Sequence, residues 1–542
     1  MKLPSFLILP ALLALAPCAL AAGQAEHVVV VVWDGLRPDL VTETSTPILF
    51  ELMRGGVFFS RNHPVYPSST EVNGTAIATG DYPFHSGVLG NRVYRPEIDP
   101  QGVVATESAD TIAKGDQLSG GKYLAAPTLA ERIQALGFPT VVAGTKGVAL
   151  LQDRGGKGPE TSEAARGSVM LYQGIAIPAA ALDPIVAAQG PFPPRVTYPN
   201  LMQDAWTTQA VVGTLWKDAV PKLTCLWLSD PDFTQHDSYP GADAALQALR
   251  SSDHNLGKIL DTLDQRGLRA KTDVIVVSDH GFSTVNRAID LAALLQQNGF
   301  KATRRYIPGT TPQPGDIFVA GNGGTDFLYA IGHDPETTAK VVAFLQQSDF
   351  AGVIMTRDPF PGTFPLARLN LDAPGAPDIA VSMRWTSEIN HAGIAGMIVS
   401  DIGRAAGQGN HTTLSRFDMH NTLIAAGPDF RKGWIDPVPS GNTDVAPTVA
   451  ALLGAPADPP MDGRVLTEAF RAAKGPDGKD LPPPELPKVD QARLTASAPV
   501  GDGGMAWNQY LITQTVNGVV YFDEGNGAQG TPPQPAPAAP TP

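Results

Sequence analysis

Cysteine is scarce in this sequence, with only two among its 542 residues. Cys18 lies in an apolar amino-terminal run, and Cys225 lies in the strand-like segment LTCLWL. If the amino-terminal run is removed on export, no internal disulfide is left, and stability must come from core burial, to which bound metal could add. An apolar strand raises the pKa of a thiol and hides it, which argues against Cys225 as a nucleophile.

Basic residues are also relatively few, with 39 lysines and arginines against 53 aspartates and glutamates. The formal net charge is -14 and the isoelectric point is near 5.1. Such a chain repels phosphate backbones at long range, so we expect no nucleic-acid polymer as a partner. A phosphate-bearing ligand would need local positive charge from metal ions or helix amino termini.

A long membrane-spanning run is missing as well. In MKLPSFLILPALLALAPCALAA one lysine precedes an apolar run, and small residues follow at Ala19–Ala21. Residues 1–22 are predicted to be a secretory signal peptide, so the chain is expected to be periplasmic or secreted. The run is too short and too rich in proline for a transmembrane segment. It fits a lipoprotein cleavage site only loosely, because Pro17 precedes Cys18.

Three apolar, β-branched runs are the strongest structural signal: HVVVVVW, LTCLWL and TDVIVV. They lack alternating polarity, which is typical of parallel strands covered on both faces. Amphipathic segments that end near glycine lie between them and predict helices. The alternation predicts an α/β fold, a doubly wound and mostly parallel sheet flanked by helices, with an inserted smaller α+β region.

The chain divides by composition into several regions. Residues 287–401 are rich in proline and glycine, and the carboxyl terminus ends in GTPPQPAPAAPTP. A hairpin is predicted near YLITQTVNGVVYFDEG, ahead of a compositionally disordered tail. The predicted division is a core in two parts (23–286 and 402–475), an elaboration or small subdomain (287–401), a carboxyl-terminal extension (476–529) and a proline-rich tail (530–542).

Each of the three apolar runs leads into acidic residues. Asp34 follows the first, Asp230 and Asp232 follow the second, and Asp279 with His280 follows the third. The carboxyl ends of parallel strands meet at one edge of a sheet, where ligands bind. Each aspartate alone is equally typical of a helix cap or turn. Together they favour a shared site.

Several carboxylates packed at an apolar edge would repel one another unless a divalent cation lay between them. His236 follows Asp232 by four residues in DPDFTQHD, which we interpret as a loop whose turn brings both to one ion. Mixed aspartate and histidine ligands favour Zn²⁺, with Mn²⁺ or Fe as alternatives.

The stretch PVYPSST places three hydroxyls, Ser68, Ser69 and Thr70, where the chain enters a predicted helix. Hydroxyl side chains at such a position cap helices. An activated hydroxyl can instead be a nucleophile. These residues alone do not decide between the two roles.

Six motifs occur in a fixed order: VVVVVWDGLRPDL, TPILFELMRGGV, YPSSTEVNGTAIATGDYPFHSGVLGN, DPDFTQHDSYP, SDHGF and GNHTTLSRFDMHNTLIAAGPDF. In this order they resemble the nucleotide pyrophosphatase/phosphodiesterase family of the alkaline phosphatase superfamily, over about residues 28–454. The resemblance implies an enzyme that hydrolyses small phosphoric esters, with phosphodiesters or nucleotide pyrophosphates as the first choice. It leaves the oligomeric state open.

The resemblance also implies roles for individual residues. Thr70 matches the threonine nucleophile that forms a phospho-enzyme intermediate, and Asn91 matches an asparagine that contacts a phosphate oxygen. Family members hold two Zn²⁺ ions. The matching ligands are Asp34, Thr70, Asp279 and His280 for one ion, and Asp232, His236 and His411 for the other.

The sequence departs from the family at several positions. Thr412 follows His411 where the family usually has glycine, and an aromatic stretch of some nucleotide-cleaving members is not evident. Some members that cleave monoesters use a lysine and an arginine for the extra charge; here Lys146 is present, but Val148 stands in place of the arginine. Lys146 could equally be a solvated surface residue.

Three other functions stay open at this point. A phosphomonoesterase of the alkaline phosphatase type is the first alternative, and a non-catalytic binding protein with the same fold is the second. A sulfatase is less favoured, because Thr70 stands in SSTEV rather than in a sulfatase context. Among the remaining histidines, His63 and His420 have no evident metal partner, and His420 is expected on a helix with an interior hydrogen bond.

Overall fold

A computed structural model describes residues 23–154, 166–195, 198–472, 484–501 and 504–531. The predicted signal peptide, residues 1–22, and the tail from residue 532 onward lie outside the described residues. Within the described part of the chain, no helix combines the length and the apolar character needed to cross a membrane.

A nine-stranded sheet forms the centre of the molecule. Its strands in chain order are β1 His27–Trp33, β2 Val57–Phe59, β3 Thr140–Gly144, β4 Val169–Tyr172, β5 Ile175–Ile177, β6 Leu223–Leu228, β7 Thr272–Val277, β8 Leu423–Ala426 and β9 Trp434–Asp436. Their spatial order is β9-β2-β8-β7-β1-β6-β3-β4-β5. Only the β4/β5, β7/β8 and β2/β8 pairs are antiparallel. The predicted, mostly parallel sheet is confirmed.

Strand β1 lies between β7 and β6 and pairs in parallel with both. Its side chains alternate between two core clusters. Val28, Val30 and Val32 belong to one cluster, and Val29, Val31 and Trp33 belong to the other. Both faces of the sheet are therefore buried, which is why the run of valines is unbroken.

Helices cover both faces of this sheet. The Thr70–Thr79 and Val445–Leu453 helices supply one cluster, and the Pro47–Gly55 and Asp243–Gln265 helices supply the other. The other α-helices are Pro83–Ser86, Ala109–Ser119, Leu129–Ala135, Ala149–Gln152, Leu182–Gln189, Leu201–Gln209, Asp232–Asp237, Leu291–Gln297 and Pro335–Gln347, and a π-helix spans Ala210–Leu215. Short 3-10 helices span Pro38–Leu40, Ala179–Ala181, Arg269–Lys271, Leu366–Leu369, Asn442–Asp444 and Thr467–Ala469.

The region 287–401 contains a six-stranded sheet, in the order Lys301–Thr303, Asp316–Gly321, Thr325–Ala330, Ile379–Met383, Ala351–Thr356 and Phe364–Pro365. Phe327 and Met355 of this sheet share the core cluster of Val30. A four-stranded sheet runs across the predicted limits of the region, in the order Trp385–Ile389, Ala395–Asp401, Ser283–Ile289 and Gly409–Asn410. The region is thus continuous with the main core, and its limits stay a prediction.

The carboxyl-terminal extension forms a three-stranded antiparallel sheet of Val489–Val500, Met505–Val516 and Val519–Gly530. The predicted hairpin joins the last two strands through Asn517 and Gly518, which have φ of 51° and 89°. Two positive φ values are what a type I′ hairpin turn requires. Two small ribbons pair Asn62–His63 with Ser440–Gly441 and Arg92–Tyr94 with Val103–Ala105.

Candidate active site

The carboxyl ends of β1, β6 and β7 bring the predicted carboxylates together. The register pairs Trp33 with Leu228 and Val32 with Val277, so the three strands end side by side. Asp34, Asp232 and Asp279 follow these ends and have no solvent exposure. The backbone N–H of Asp232 donates to the carbonyl of Asp34 at 3.0 Å. The shared edge predicted from the sequence is therefore present.

Asp34, Asp279 and His280 form the first ligand group, with one ligand atom of each within 4.8 Å of the others. His280 Nε2 lies 3.2 Å from Asp279 Oδ2 and 3.5 Å from Asp34 Oδ1. Thr70 Oγ1 lies 3.3 Å from the same imidazole nitrogen. The four residues expected to share one ion are therefore gathered around one point.

Asp232, His236 and His411 form the second ligand group. Asp232 Oδ1 lies 3.3 Å from His236 Nε2 and 3.5 Å from His411 Nε2. The expected loop is wrong here, because Asp232–Asp237 is a short helix. Residues four apart share one face of a helix, and this places Asp232 and His236 together. The two groups adjoin, with His280 Nε2 3.9 Å from Asp232 Oδ1.

All three histidines are held in the same tautomer. Each Nδ1 faces a backbone carbonyl: His236 faces Gly409 at 3.1 Å, His280 faces Gly281 at 2.9 Å, and His411 faces Ser68 at 2.7 Å. A carbonyl only accepts, so each Nδ1 donates and each Nε2 keeps its lone pair for the ligand group. Metal-binding histidines are oriented in this way. Burial lowers the pKa of His280 and, with His280 beside it, that of His411.

Each of the three carboxylates keeps one oxygen free of hydrogen bonds among the described residues: Asp34 Oδ1, Asp232 Oδ1 and Asp279 Oδ2. The opposite oxygen of Asp34 accepts from Trp227 Nε1 at 2.9 Å, and that of Asp279 accepts from the Gly35 N–H at 3.0 Å. Burial and the neighbouring carboxylates raise the pKa of Asp34 well above its usual range. A divalent cation at each group would satisfy these oxygens, and the donor set fits Zn²⁺.

Of the three hydroxyls in the PSST stretch, that of Thr70 contacts a residue of the ligand groups, His280. Ser68 Oγ donates to the Thr413 carbonyl at 3.1 Å. Ser69 occupies the N-cap position, but its hydroxyl makes no capping bond. Side-chain capping, one of the roles that the sequence left open for these hydroxyls, is therefore not made by Ser68 or Ser69. Asn91 caps instead, because its Oδ1 accepts from the Glu71 N–H at 3.1 Å.

Lys146 lies inside the site, just beyond the end of β3. Its Nζ lies 2.9 Å from Asp34 Oδ2, 2.5 Å from Asp232 Oδ2 and 3.4 Å from Thr70 Oγ1. Only 12% of the side chain is exposed, so the surface-lysine alternative is wrong. Burial opposes its charge, but the surrounding carboxylates raise its pKa above the usual value.

Two aspartates near the site differ from the prediction. Asp230 has a different role from the one expected, and Asp204 was not predicted at all. Asp230 was expected among the clustered carboxylates, but its Oδ1 accepts from the Thr234 N–H at 3.1 Å. Burial and the adjacent Asp204 raise the pKa of Asp230 to about 7. Asp204 was not predicted; it accepts from the Ser229 N–H at 2.8 Å and from Thr145 Oγ1 at 2.6 Å. These aspartates shape the loops of β3 and β6 rather than the ligand groups.

Thr412, which follows His411, has φ of 82°. This left-handed conformation favours glycine, so the structure explains why the family usually has glycine there. Two hydrogen bonds hold the threonine in place. Its hydroxyl donates to the Asn322 carbonyl at 2.7 Å, and its carbonyl accepts from Thr325 Oγ1 at 2.5 Å.

Fold and site together define an α/β protein with a mostly parallel central sheet and two adjoining ligand groups beside a helix-terminal threonine. The family profile described as type I phosphodiesterase / nucleotide pyrophosphatase matches residues 28–391. The chain belongs to this family, which confirms the resemblance seen in the motifs.

Curated relatives and solved structures agree with that assignment. Human ectonucleotide pyrophosphatase/phosphodiesterase family member 1 is 24% identical over 236 residues, covering 43% of this chain and 21% of the relative. Venom phosphodiesterase 2 of Crotalus adamanteus is 23% identical over 265 residues, covering 49% and 26%. The matches thus span about a fifth to a quarter of these relatives. Murine ectonucleotide pyrophosphatase/phosphodiesterase 5 has the same fold, with a TM-score of 0.54, 18% identity and coverage of 80% of this chain and 96% of that one.

Proposed function

We propose that this protein hydrolyses phosphodiesters or nucleotide pyrophosphates, with Thr70 as the nucleophile. The observation that carries the proposal is the position of Thr70 Oγ1, 3.3 Å from His280 Nε2 at the start of a buried helix. The names of the human and venom relatives support the substrate class. A further structure supports the nucleophile: an inactive threonine-to-alanine variant of murine ectonucleotide pyrophosphatase/phosphodiesterase 5 in complex with AMP.

The proposal includes two Zn²⁺ ions. Asp34, Thr70, Asp279 and His280 would hold one, and Asp232, His236 and His411 would hold the other. Bound zinc lowers the pKa of a coordinated hydroxyl or water and neutralises charge on phosphate oxygens. The free carboxylate oxygens and the three Nε2 lone pairs support this ligand set.

The residues of the chain then define the path of the reaction. Thr70 Oγ1 forms a bond to phosphorus as the bond to the departing oxygen breaks, which leaves a phosphothreonine. Water then attacks phosphorus opposite the threonine oxygen. The bond between phosphorus and Thr70 Oγ1 breaks, the threonine oxygen takes a proton from the water, and the phosphate product is released. Two in-line steps give net retention at phosphorus. The amino terminus of the Thr70–Thr79 helix and the amide nitrogen of Asn91 would hold the remaining phosphate oxygens.

Thr70→Ala is the direct test, with Ser69→Ala as the matched control one residue away. Turnover of bis-p-nitrophenyl phosphate should fall at least about 1,000-fold in Thr70→Ala, as when a nucleophile is removed. Zinc content by mass spectrometry should stay unchanged, because the other ligands remain. Ser69→Ala should retain activity, since that hydroxyl makes no hydrogen bond among the described residues. Full activity in Thr70→Ala, or loss only in Ser69→Ala, would contradict the proposal.

A phosphomonoesterase is the second candidate, and the position of Lys146 favours it. A monoester carries about one more negative charge than a diester near neutral pH, and the Lys146 ammonium lies 3.4 Å from Thr70 Oγ1. If Lys146 binds that charge, Lys146→Ala should lower kcat/KM for p-nitrophenyl phosphate about 10-fold more than for the diester. Equal losses on both substrates would remove this special role. A non-catalytic binding protein would turn over neither.

We also propose that the chain is exported, to the periplasm or outside the cell. The amino-terminal sequence supports this, and the relatives named above are an ectoenzyme and a venom enzyme. Amino-terminal sequencing of the exported protein should begin after Ala21 or Ala22. Retention of the first residues in the exported product would count against a cleaved signal.

A further inference from the structure

A third cluster of ligand-type side chains lies apart from the two groups of the active site. It consists of His63, His420 and Asp523, and one ligand atom of each lies within 4.8 Å of the others. Asp523 Oδ1 is 2.8 Å from His420 Nε2 and 3.4 Å from His63 Nε2. The two imidazole rings meet edge to face, with centroids 4.8 Å apart.

His63 is prepared to act as a ligand in the same way as the three active-site histidines. Its side chain is 1% exposed, and its Nδ1 faces the Ser440 carbonyl at 3.1 Å. Because that carbonyl accepts, Nδ1 donates and the lone pair lies on Nε2, the atom nearest Asp523. A histidine that served only to pair with Asp523 would instead need a proton on Nε2.

His420 and Asp523, the other two residues of the cluster, are partly exposed to solvent. His420 is 37% exposed and Asp523 is 20% exposed, so an ion and its waters could reach the cluster. The expectation of a helix at His420 is wrong, because this residue and its neighbours Met419 and Asn421 belong to neither a helix nor a strand. The expectation that His63 and His420 lack a metal partner came from the sequence, in which Asp523 is distant from both.

We propose that His63 Nε2, His420 Nε2 and the Asp523 carboxylate bind a Zn²⁺ ion, with water in the remaining position. Ligands at about 2.0–2.1 Å in a tetrahedral site lie about 3.3 Å from one another. The distance between His63 and Asp523 already has this value, and the contact between His420 and Asp523 would lengthen slightly. Two imidazoles and one carboxylate are a donor set that zinc accepts.

The position of the cluster points to a structural role for this ion. His63 lies in the short strand that precedes the Thr70–Thr79 helix in the chain. His420 lies nine residues after His411, in the irregular segment that contains both. Asp523 lies on the last strand of the carboxyl-terminal sheet. The ion would therefore tie that sheet to the two segments that carry Thr70 and His411.

Zinc content separates this site from a simple histidine–aspartate pair. The full chain is stripped with a chelator, dialysed against Zn²⁺ and measured by mass spectrometry as wild type, His420→Ala and Asp523→Asn. His254→Ala is the matched control, because His254 is exposed on the Asp243–Gln265 helix. We expect one equivalent of zinc fewer in His420→Ala and in Asp523→Asn, and no change in the control. Circular dichroism checks that each variant is folded.

The third site is tested by the difference in zinc content between wild type and each variant, not by the total zinc content of either. If the active-site zinc proposal failed, wild type would hold one equivalent and His420→Ala none. If both proposals hold, the values are three and two. Equal zinc content in wild type and in a folded His420→Ala variant would overturn the third site, and would leave His420 and Asp523 as an ion pair only. If His420→Ala failed to fold, folded Asp523→Asn would decide in the same way.

Discussion

At the scale of single residues, Thr412 shows how a side chain can replace the conformational freedom of glycine. Its φ of 82° places a β-branched residue in the left-handed region, at a cost of about 1–2 kcal/mol. The hydrogen bond from its hydroxyl to the Asn322 carbonyl offsets part of that cost, by about 1 kcal/mol. The backbone next to His411 is thereby held in the left-handed conformation.

Substitutions at Thr412 should separate strain from hydrogen bonding. Thr412→Ala keeps the strain and loses the bond, whereas Thr412→Gly loses the bond and relieves the strain. Thr412→Ala should therefore be less stable than Thr412→Gly by about 1 kcal/mol in urea unfolding. If the two variants had equal urea midpoints and equal slopes of unfolding free energy, or if Thr412→Ala were the more stable, the positive φ would not be the source of the destabilisation.

At the scale of elements, the Thr70–Thr79 helix is unusual because all of its residues are buried. A Cβ on Gly74 would lie 2.2 Å from Val148 Cγ2 and 3.1 Å from the Trp227 ring. The helix thus packs directly on the residues that adjoin Lys146 and support Asp34. Val148 has no solvent exposure, so an arginine in this packing would bury its charge.

Gly74→Ala should destabilise the protein although alanine favours helices. The gain in helix propensity is about 1 kcal/mol, while overpacking against Val148 costs about 1–3 kcal/mol. Displacement of the helix should also lower diester turnover. A double-mutant cycle provides the control: Val148→Ala should cost less in the Gly74→Ala background than in wild type, because it makes room for the methyl group. Additive costs would contradict the packing argument.

Elements with strong local signals could be predicted from the sequence. The unbroken apolar runs predicted β1, β6 and β7, because burial on both faces leaves no polar position. The Asp232–Asp237 helix was missed because six residues are too few to show a helical period. The Val489–Val500 strand was also missed, since most of its residues are exposed and its order comes from pairing with Met505–Val516.

The site could be predicted only in part for a similar reason. The positions after the strand ends indicated Asp34, Asp232 and Asp279, and the family motifs added Thr70 and His411. Contacts between distant segments leave no local pattern, so the hydrogen bond from Trp227 to Asp34 was not foreseen. A buried tryptophan N–H usually donates to a partner, but the sequence does not say which one.

At the scale of the whole molecule, the carboxyl-terminal sheet is part of the core. Trp507 has no solvent exposure and packs in the cluster of the six-stranded sheet, while Leu511 and Phe522 share the cluster of Val30. Tyr521 donates its hydroxyl to Asp444 Oδ2 at 2.7 Å. The described part of the predicted extension therefore shares its packing with the main core.

Trp507→Ala should lower the stability of the whole protein. Removing a buried aromatic side chain costs about 3–5 kcal/mol, and shared clusters should transmit that loss to the entire fold. Calorimetry should show one transition shifted to lower temperature. Gln491→Ala, at an exposed position on the first strand of the same sheet, should change stability by less than about 0.5 kcal/mol. Two transitions, only one of them shifted by Trp507→Ala, would indicate an independent carboxyl-terminal unit.

The spacing of the candidate site residues along the chain also sets the order in which they are translated. Asp34 is translated early, whereas His411 emerges after about three quarters of the polypeptide. If the chain holds the two proposed ions, a growing chain lacks one ligand of the second ion until His411 has been translated. Hydrolysis would then begin only late in biosynthesis, and a fragment that stops before residue 411 should be inactive.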